Sequence, residues 1–514
     1  MQIVWFRRDL RLSDCEIIHE AAKNQQDILP CFIIDPWFFR QKEIGAARVK
    51  FLLESLDNLN TNLVKRGSRL YLFNGESVPI IEALTRSLIQ LGKKPKLYFN
   101  RDVQVSYGIE RDREILELYS QLNLETHIGL NHFLQTEQEC YESLWQDYHY
   151  YQNQPLHPTP ELINTPNLSL NLPQLTFQEL KQKYWHYWQV KSSYFVGGED
   201  RALATLNSFL SHRFWGYHWK MSRPWEAQQG ASSHLSPHLC FGTISTRIVF
   251  QRTRKLIEEI QEPKTRKGFA LKAFLDRLRW HDKFTQRLYY HPELATQNPD
   301  PEFDRYHSGN DLTGEKQELF WAWCNGITGF PMVDASMRQL NQMGWMNFRM
   351  RAMCATFLTI NCGVSWQHGA CYFMTRLVDG DIAINHRQWQ MQSGVTNPMS
   401  KTFRIYNPSK NLQEKDPNLQ FVLYWIPELR GHSMKQILSG EYLPNISYPK
   451  PVVDWKKTRS VNGKVISNLR SKVRDRLERE RGEEYYQAIQ AKETVEKYFA
   501  VKDKQYQDLN NDLS

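Results

Sequence analysis

The stretch GFPMVDASMRQLNQMGWMNFRMRAMCATFL (329–358), continued by VSWQHGACYFMTRLVDGDIAINHRQWQMQSG (364–394) and FRIYNP (403–408), decides how the chain is read. It sets Arg349, Arg351, Asp379, Asp381 and Asn385 among long apolar runs, where polar groups are costly to bury without partners. Two arginines and two acids in that setting imply an internal ionic site, and Trp345, Trp366 and Trp389 crowd the same region. Fixed charges of both signs, an amide and indole rings suit a redox-active aromatic cofactor such as a flavin. Such a ring needs donors and acceptors at its edge and charge that stabilises its reduced state. A helical core with surface ion pairs and ordinary core tryptophans shows the same pattern, so the residues alone leave both readings open.

Composition bounds the rest. At 514 residues the chain has room for about two to four domains. Hydrophobic content of 41% and charged content of 24% are those of a soluble globular protein. The 16 Trp and 24 Tyr fit a protein that stacks rings or moves electrons, with core filling as the alternative. A net charge of +9 permits an anionic partner such as nucleic acid. Eight cysteines are scattered without a CxxC pair, which argues against a zinc site or an iron–sulfur cluster and for a reducing compartment. IVWF (3–6) is too short for a signal peptide and runs into RRDLR. The charge-free run Met353–Thr375 is interrupted by Asn361, Gly363, Gln367, His368 and Gly369, so buried helices are expected there and no membrane span. The expected location is the cytosol, as a monomer.

Along the chain, IVWF (3–6), ILPCFIID (28–35), RLYLFN (69–74), KLYFN (96–100) and LETHIG (124–129) read as strands. Ala46–Arg66, Pro79–Leu91 and Ile109–Gln121 carry helical periodicity between them, an alternation that implies a parallel sheet covered on both faces. No GxGxxG follows the first strand, which removes a dinucleotide fingerprint. The Pro- and Asn-rich stretch 152–175 reads as a connector. From Gly198 the signals are helical, at 199–210, 245–260 and 268–290. The expected organisation is an α/β Rossmann-like domain (1–130), a linker (131–197), an all-α domain (198–455) and a basic, then mixed-charge tail (456–514). Between Lys456 and Arg481 there are ten Lys or Arg against three Asp or Glu, the composition of a phosphate-binding arm or of a solvated helix face. A further helix is expected over 483–501.

VWFRRDLRL (4–12), TGFPMVDASMRQL (328–340), GWMNFRMR (344–351), DGDIAIN (379–385), Trp389-Gln390 and RIYNP (404–408) resemble, in order, the motifs of the photolyase/cryptochrome family. The resemblance implies FAD in the helical domain and, in many members, an antenna chromophore in the α/β domain. NRDVQVSYGIERDRE (100–114) matches the antenna region, but the glutamate of folate-binding members is Gly108 here. That disfavours folate and leaves a deazaflavin, another chromophore or none.

By the same resemblance Tyr217, Ser232, Ser233, Leu235 and Ser236 hold the flavin phosphates. A run such as GASSHLS (230–236) can hold a phosphate at a helix N-terminus, although it serves equally as a plain cap. Arg351 and Asp379 match the ion pair beside the flavin ring, Asp381 the acid facing ring N3, and Asn385 the residue facing N5. Plant cryptochromes carry an acid at that last position and animal ones a cysteine, so Asn385 leans towards repair. Trp389 and Trp366 match the inner and middle members of the electron-carrying tryptophan chain. The outer position falls on Phe303, with Tyr306, Trp321 and Trp323 as candidate replacements.

Trp280 and Met391 match the lesion-stacking positions, and Arg404 a contact to the DNA backbone. Departures gather at the lesion: Arg277, His281, Phe348 and Met391 stand where relatives carry other residues. The reaction implied is light-driven splitting of cyclobutane pyrimidine dimers in DNA, without metal. A cryptochrome-like photoreceptor and a (6-4) photoproduct lyase are the alternatives.

Overall fold

A computed structural model describes residues 1–23, 25–103, 106–131, 133–134, 144–189, 194–260, 265–398, 400, 403–440, 446–480 and 482. The helix expected over 483–501 lies outside them. All five expected strands form: β1 (Gln2–Trp5), β2 (Ile28–Ile34), β3 (Tyr71–Asn74), β4 (Lys96–Asn100) and β5 (Thr126–Gly129). They are mutually parallel, in the order β5-β4-β1-β2-β3, and β6 (Gln174–Leu175) closes the edge antiparallel to β3. The two residues of β6 are too few to show a strand period, which is why that stretch reads as connector.

Strand alternation fills two cores. Ile3, Trp5, Leu29, Cys31 and Ile33 pack with Ile81, Leu84 and Ile115 on one face. Val4, Phe6, Ile28 and Ile34 pack with Leu52, Leu56 and Leu63 on the other. The helices responsible are Ala46–Val64, Ser77–Gln90 and Ser106–Gln121, each close to its expected bounds. Glu16–Ala22 and Pro36–Arg40 are additional, too short to register as periodic.

Beyond residue 198 the described chain is helical. The charge-free run folds as expected: residues up to Asn361 continue the helix that starts at Phe348, Gly363 turns the chain at φ +65°, and Trp366–Arg376 follows. No helix among the described residues is long and apolar enough to cross a membrane. Residues 455–480 form a helix whose Ile466, Leu469, Val473 and Leu477 enter the main core. Spacing of three to four residues puts these four on one face. The basic run is therefore a docked helix rather than a free arm or a wholly solvated face.

The α/β and helical parts meet at the turn after β1. Arg247 pairs there with Asp14, both buried, and the Glu199 carboxylate accepts from the backbone N–H of Leu12 (2.9 Å) and Ser13 (2.8 Å). Gly242 sits at φ +63°, and a Cβ added to it would lie 1.9 Å from the Arg8 carbonyl oxygen. Only glycine meets both demands. Gly242→Ala should cost at least about 2 kcal/mol of stability, read as a lower denaturant midpoint. A parental midpoint would show that the two parts do not pack this closely.

Candidate functional site

The site is organised by the helix Ile382–Gln392. Asp381 caps it, accepting from Ile384 N–H at 3.2 Å, a favourable place for a carboxylate at the positive end of a helix. One turn later the Asn385 amide donates to the Ala370 carbonyl at 3.0 Å, which orients the side chain. Its Oδ1 has no partner among the described residues. One turn further lies Trp389, buried against the helix Trp366–Arg376, where Gly369 allows the contact: a Cβ there would lie 2.2 Å from the indole.

Arg351 and Asp379, paired only by resemblance at the sequence level, form an ion pair in the structure. Nη2 of Arg351 lies 2.9 and 3.0 Å from the two carboxylate oxygens, and its Nε donates to Met346 O at 2.7 Å. A residue that sequence reasoning passed over completes the group. Arg8, in the turn after β1, donates from Nη2 to Asp381 Oδ2 (2.9 Å) and from Nε and Nη2 to Cys240 O (3.0 and 2.9 Å). The quoted VWFRRDLRL motif contains it, but nothing in the sequence says it reaches 373 residues along the chain.

The 230–236 segment is a turn held by one more unforeseen arginine. Arg213 donates from Nη1 to Gly230 O and Ser232 O, both at 2.8 Å, and from Nη2 to Thr205 O and Ser233 O at 3.0 and 3.4 Å. Gly230 (φ +104°) and His234 (φ +60°) bend the chain around it. Leu235 is fully buried, and Ser236 opens the short helix Ser236–Cys240, whose last thiol reaches Gly380 O at 3.5 Å. Tyr217 lies buried between Phe209 and Phe274; burial raises its pKa against the pull of Arg277. Trp345 faces the same loop, edge-on to His234 at 5.1 Å.

Among the described residues, Ser232 Oγ and Asn347 Oδ1 are buried in this region without a hydrogen-bond partner. Such groups are costly unless something polar meets them. Together with the open Oδ1 of Asn385 and the capped carboxylate of Asp381, they fit a cofactor with polar edges and phosphates.

On the opposite side of the organising helix, Trp280 of the helix Arg266–Tyr290 joins Met391, Ile384 and Phe284 around buried Ala383. The structure thus brings Trp280 and Met391 together. Arg277 and Arg349 flank the ring of Phe348 at 5.5 and 5.2 Å, and Arg349 donates to the Tyr406 hydroxyl at 2.9 Å. Arg404 is exposed, 5.8 Å from the Tyr406 ring. His281 is buried against Asp282 at 2.9 Å. Burial opposes its charge, yet the bond and the nearby carboxylates hold its pKa above the ordinary value.

The rings near Trp389 do not run only through Trp366. Trp366 meets His386 edge-on at 5.9 Å and donates its indole N–H to Asn298. Phe303, at the outer position, is fully buried. Trp389 stands edge-on to Trp323 at 5.9 Å, and Trp323 in turn meets half-buried Tyr372 at 5.6 Å. Trp321 is 61% exposed, while Tyr306 bonds to Thr359 O at 3.1 Å.

In the α/β part, Tyr107 stacks on Trp37 at 4.2 Å and donates to Asp35 at 2.6 Å. A Cβ at Gly108 would lie 2.2 Å from the Asp102 carboxylate, itself held by Arg111 at 3.1 Å. A side chain at position 108 would therefore have to displace Asp102.

The family of this two-part fold follows from sequence comparison. Residues 2–151 match the family model for DNA photolyase, and residues 274–468 match that for the FAD binding domain of DNA photolyase. Together the two models cover more than half of the chain, and the chain belongs to the photolyase/cryptochrome family and binds FAD.

The chain is 29% identical over 477 residues to the deoxyribodipyrimidine photo-lyase of Synechococcus sp., covering 88% of this chain and 93% of that one. It is 27% identical over 493 residues to cryptochrome-2 of Gallus gallus, covering 89% and 81%. Among solved structures, it is similar to a bacterial class III photolyase from Agrobacterium tumefaciens, with a TM-score of 0.78, 27% identity, and coverage of 91% and 98%.

Arg213→Met removes four carbonyl contacts and should loosen the 230–236 turn. FAD affinity should fall at least about tenfold, measured as flavin retained per protein on dilution. Parental retention would mean the turn does not hold the cofactor.

Proposed function

We propose that the protein is a DNA lyase that splits cyclobutane pyrimidine dimers under light. One observation carries this reading: on the helix Ile382–Gln392, Asn385 lies one turn after the Arg8-paired cap Asp381, while Met391, on the same helix, meets Trp280 in an apolar cluster. Reduced FAD, when bound, supplies absorption of a blue or near-UV photon and donation of an electron to the lesion.

The protein's own residues do the rest. Tyr217, Ser232, Ser233, Leu235 and Ser236 would hold the phosphates, with Arg213 shaping their turn. The Arg351–Asp379 pair, Asp381 and Asn385 would bind the ring edge. One Nδ2–H of Asn385 donates to Ala370 O and fixes the amide, leaving Oδ1 as an acceptor, which suits a reduced ring that carries a proton. Trp280 and Met391 offer an apolar stacking surface for a flipped-out dimer, worth roughly 1–3 kcal/mol per stacked base. Arg404 would meet the phosphate backbone. No general base is needed, since the dimer ring opens on gaining the electron and the electron is then given back, leaving no net redox change.

Trp323 is the carrier next to Trp389 that the ring contacts favour, in place of Trp366. It alone among the three replacements named above touches Trp389, and it leads on to Tyr372. Phe303 is a poor hole carrier and sits in the core.

The photoreceptor reading is favoured by the changed lesion-side residues and by the similarity to cryptochrome-2. The (6-4) lyase reading needs a proton-donating histidine at the lesion. His386 does not serve: burial lowers its pKa to about 4, and its ring faces Trp366. It stays neutral from neutral pH down to that value. His281 is the only described alternative close to Trp280 in sequence, and its ring nitrogen is bound to Asp282.

Illumination of the purified protein with reduced FAD and a dimer-bearing oligonucleotide should restore free thymines; no recovery in light sinks the lyase reading. Trp280→Ala should weaken binding of that oligonucleotide by about 1–3 kcal/mol and spare undamaged duplex. Equal losses on both would place Trp280 outside the lesion pocket. For the electron route, Trp389→Phe should abolish rapid photoreduction of oxidised FAD, and Trp323→Phe should slow it. Parental rates in Trp323→Phe would return the route to Trp366.

His386 also gives a pH expectation. Its folded pKa of about 4 lies below the unfolded 6.5, so its contribution to stability is present above pH 6.5 and is lost as pH falls towards 4. Unfolding in that window should take up protons, since His234, His238 and His307 are lowered too, and His386→Gln should reduce the uptake by about one, measured by calorimetry in buffers of different ionisation heat.

A further inference from the structure

The helix over residues 455–480 reaches back to the chain that leaves the organising helix. Arg470, on its inner face and 2% exposed, donates to four carbonyl oxygens of that chain. Nη1 reaches Gly394 at 2.6 Å and Thr396 at 2.7 Å; Nη2 reaches Asn397 at 2.6 Å and Ser400 at 2.7 Å. One turn later Arg474 donates to Pro398 O at 2.9 Å. The Arg470 guanidinium also lies 5.6 Å from the Phe403 ring, and Phe403 packs on Gly394, where a Cβ would lie 3.1 Å from the ring. The chain therefore enters and leaves this turn against the same guanidinium. Arg476 anchors the helix on the other side, to Asp300 at 2.8 Å and Glu302 at 2.7 Å.

This turn connects Met391 to Arg404. Its carbonyls have no sheet or helix to satisfy them, and a guanidinium is the side chain with enough fixed donors in one plane to serve four. A lysine carries the charge but not the fork.

We propose that Arg470 is a positioning residue for DNA recognition. By gathering the carbonyls of Gly394, Thr396, Asn397 and Ser400 and lying against Phe403, it holds the described residues that precede Arg404, and so sets where Arg404 meets the phosphate backbone. The proposal rests on the lyase reading above. It also gives the basic run of residues 456–481 a second use: Arg470, Arg474 and Arg476 act inside the protein.

The test uses the full chain with FAD: parental protein, Arg470→Lys, Arg404→Ala and the double variant. Without DNA, amide hydrogen exchange between Gly394 and Phe403 should quicken in Arg470→Lys, with flavin absorbance unchanged. Affinity for a dimer-bearing oligonucleotide should fall about tenfold in Arg470→Lys, and its salt dependence should lose about one phosphate contact. Arg470→Lys should then add little in the Arg404→Ala background, because both act through one contact. Arg474→Gln, which removes one carbonyl contact, should give a smaller shift in the same direction. Equal losses in both backgrounds indicate general weakening and overturn the proposal, as does unchanged exchange. Faster exchange in a protein whose parent binds no dimer-bearing DNA overturns the lyase reading instead.

Discussion

Arg8 and Asp381 meet at 2.9 Å across the boundary between the α/β and helical parts, and the rest of the site is arranged around that contact. Asp381 is buried, so its charge needs a partner. The partner comes from the turn after β1, where the parallel sheet ends and where ligands of such sheets gather. Because Arg8 also holds the Cys240 carbonyl, one guanidinium ties the end of the Ser236–Cys240 helix to the cap of the organising helix. The proposed phosphate turn and the proposed ring-edge site are thereby fixed relative to each other. Gly242, with its backbone against Arg8, makes that approach possible.

Much of this was legible in the sequence, for reasons that differ by element. The five parallel strands are short apolar runs filled on both faces, and their composition marks them without help from tertiary context. Arg351, Asp379, Asp381 and Asn385 stood out because charged and amide groups inside apolar runs are costly to bury without partners. What stayed hidden depends on contacts between distant segments. Arg8, Arg213 and Arg470 each act on backbone carbonyls, and a carbonyl has no sequence signature. The tail illustrates the same limit: charge counting describes the outer face of the 455–480 helix, whereas its four core residues and Arg470 decide where it sits. Trp323 was one of three candidates on sequence and is singled out only by its contact with Trp389.

The residues at the proposed lesion side share a common form in the structure. Phe348 stands between two arginines, and Arg349 continues to Tyr406, so rings and cations alternate at the pocket edge. Alternation of that kind suits stacked bases and phosphates together. Met391 replaces an aromatic with a flexible apolar side chain, which adapts its shape to what it packs on.

On the proposed reading, light absorbed by the bound flavin drives dimer splitting. An action spectrum tests it most directly: thymine recovered per incident photon, wavelength by wavelength, from a dimer-bearing oligonucleotide and the protein with reduced FAD. The account predicts a yield that follows the absorption of the reduced flavin, together with any antenna chromophore, and vanishes in the dark. Recovery equal in light and dark, or no recovery at wavelengths the flavin absorbs, contradicts it.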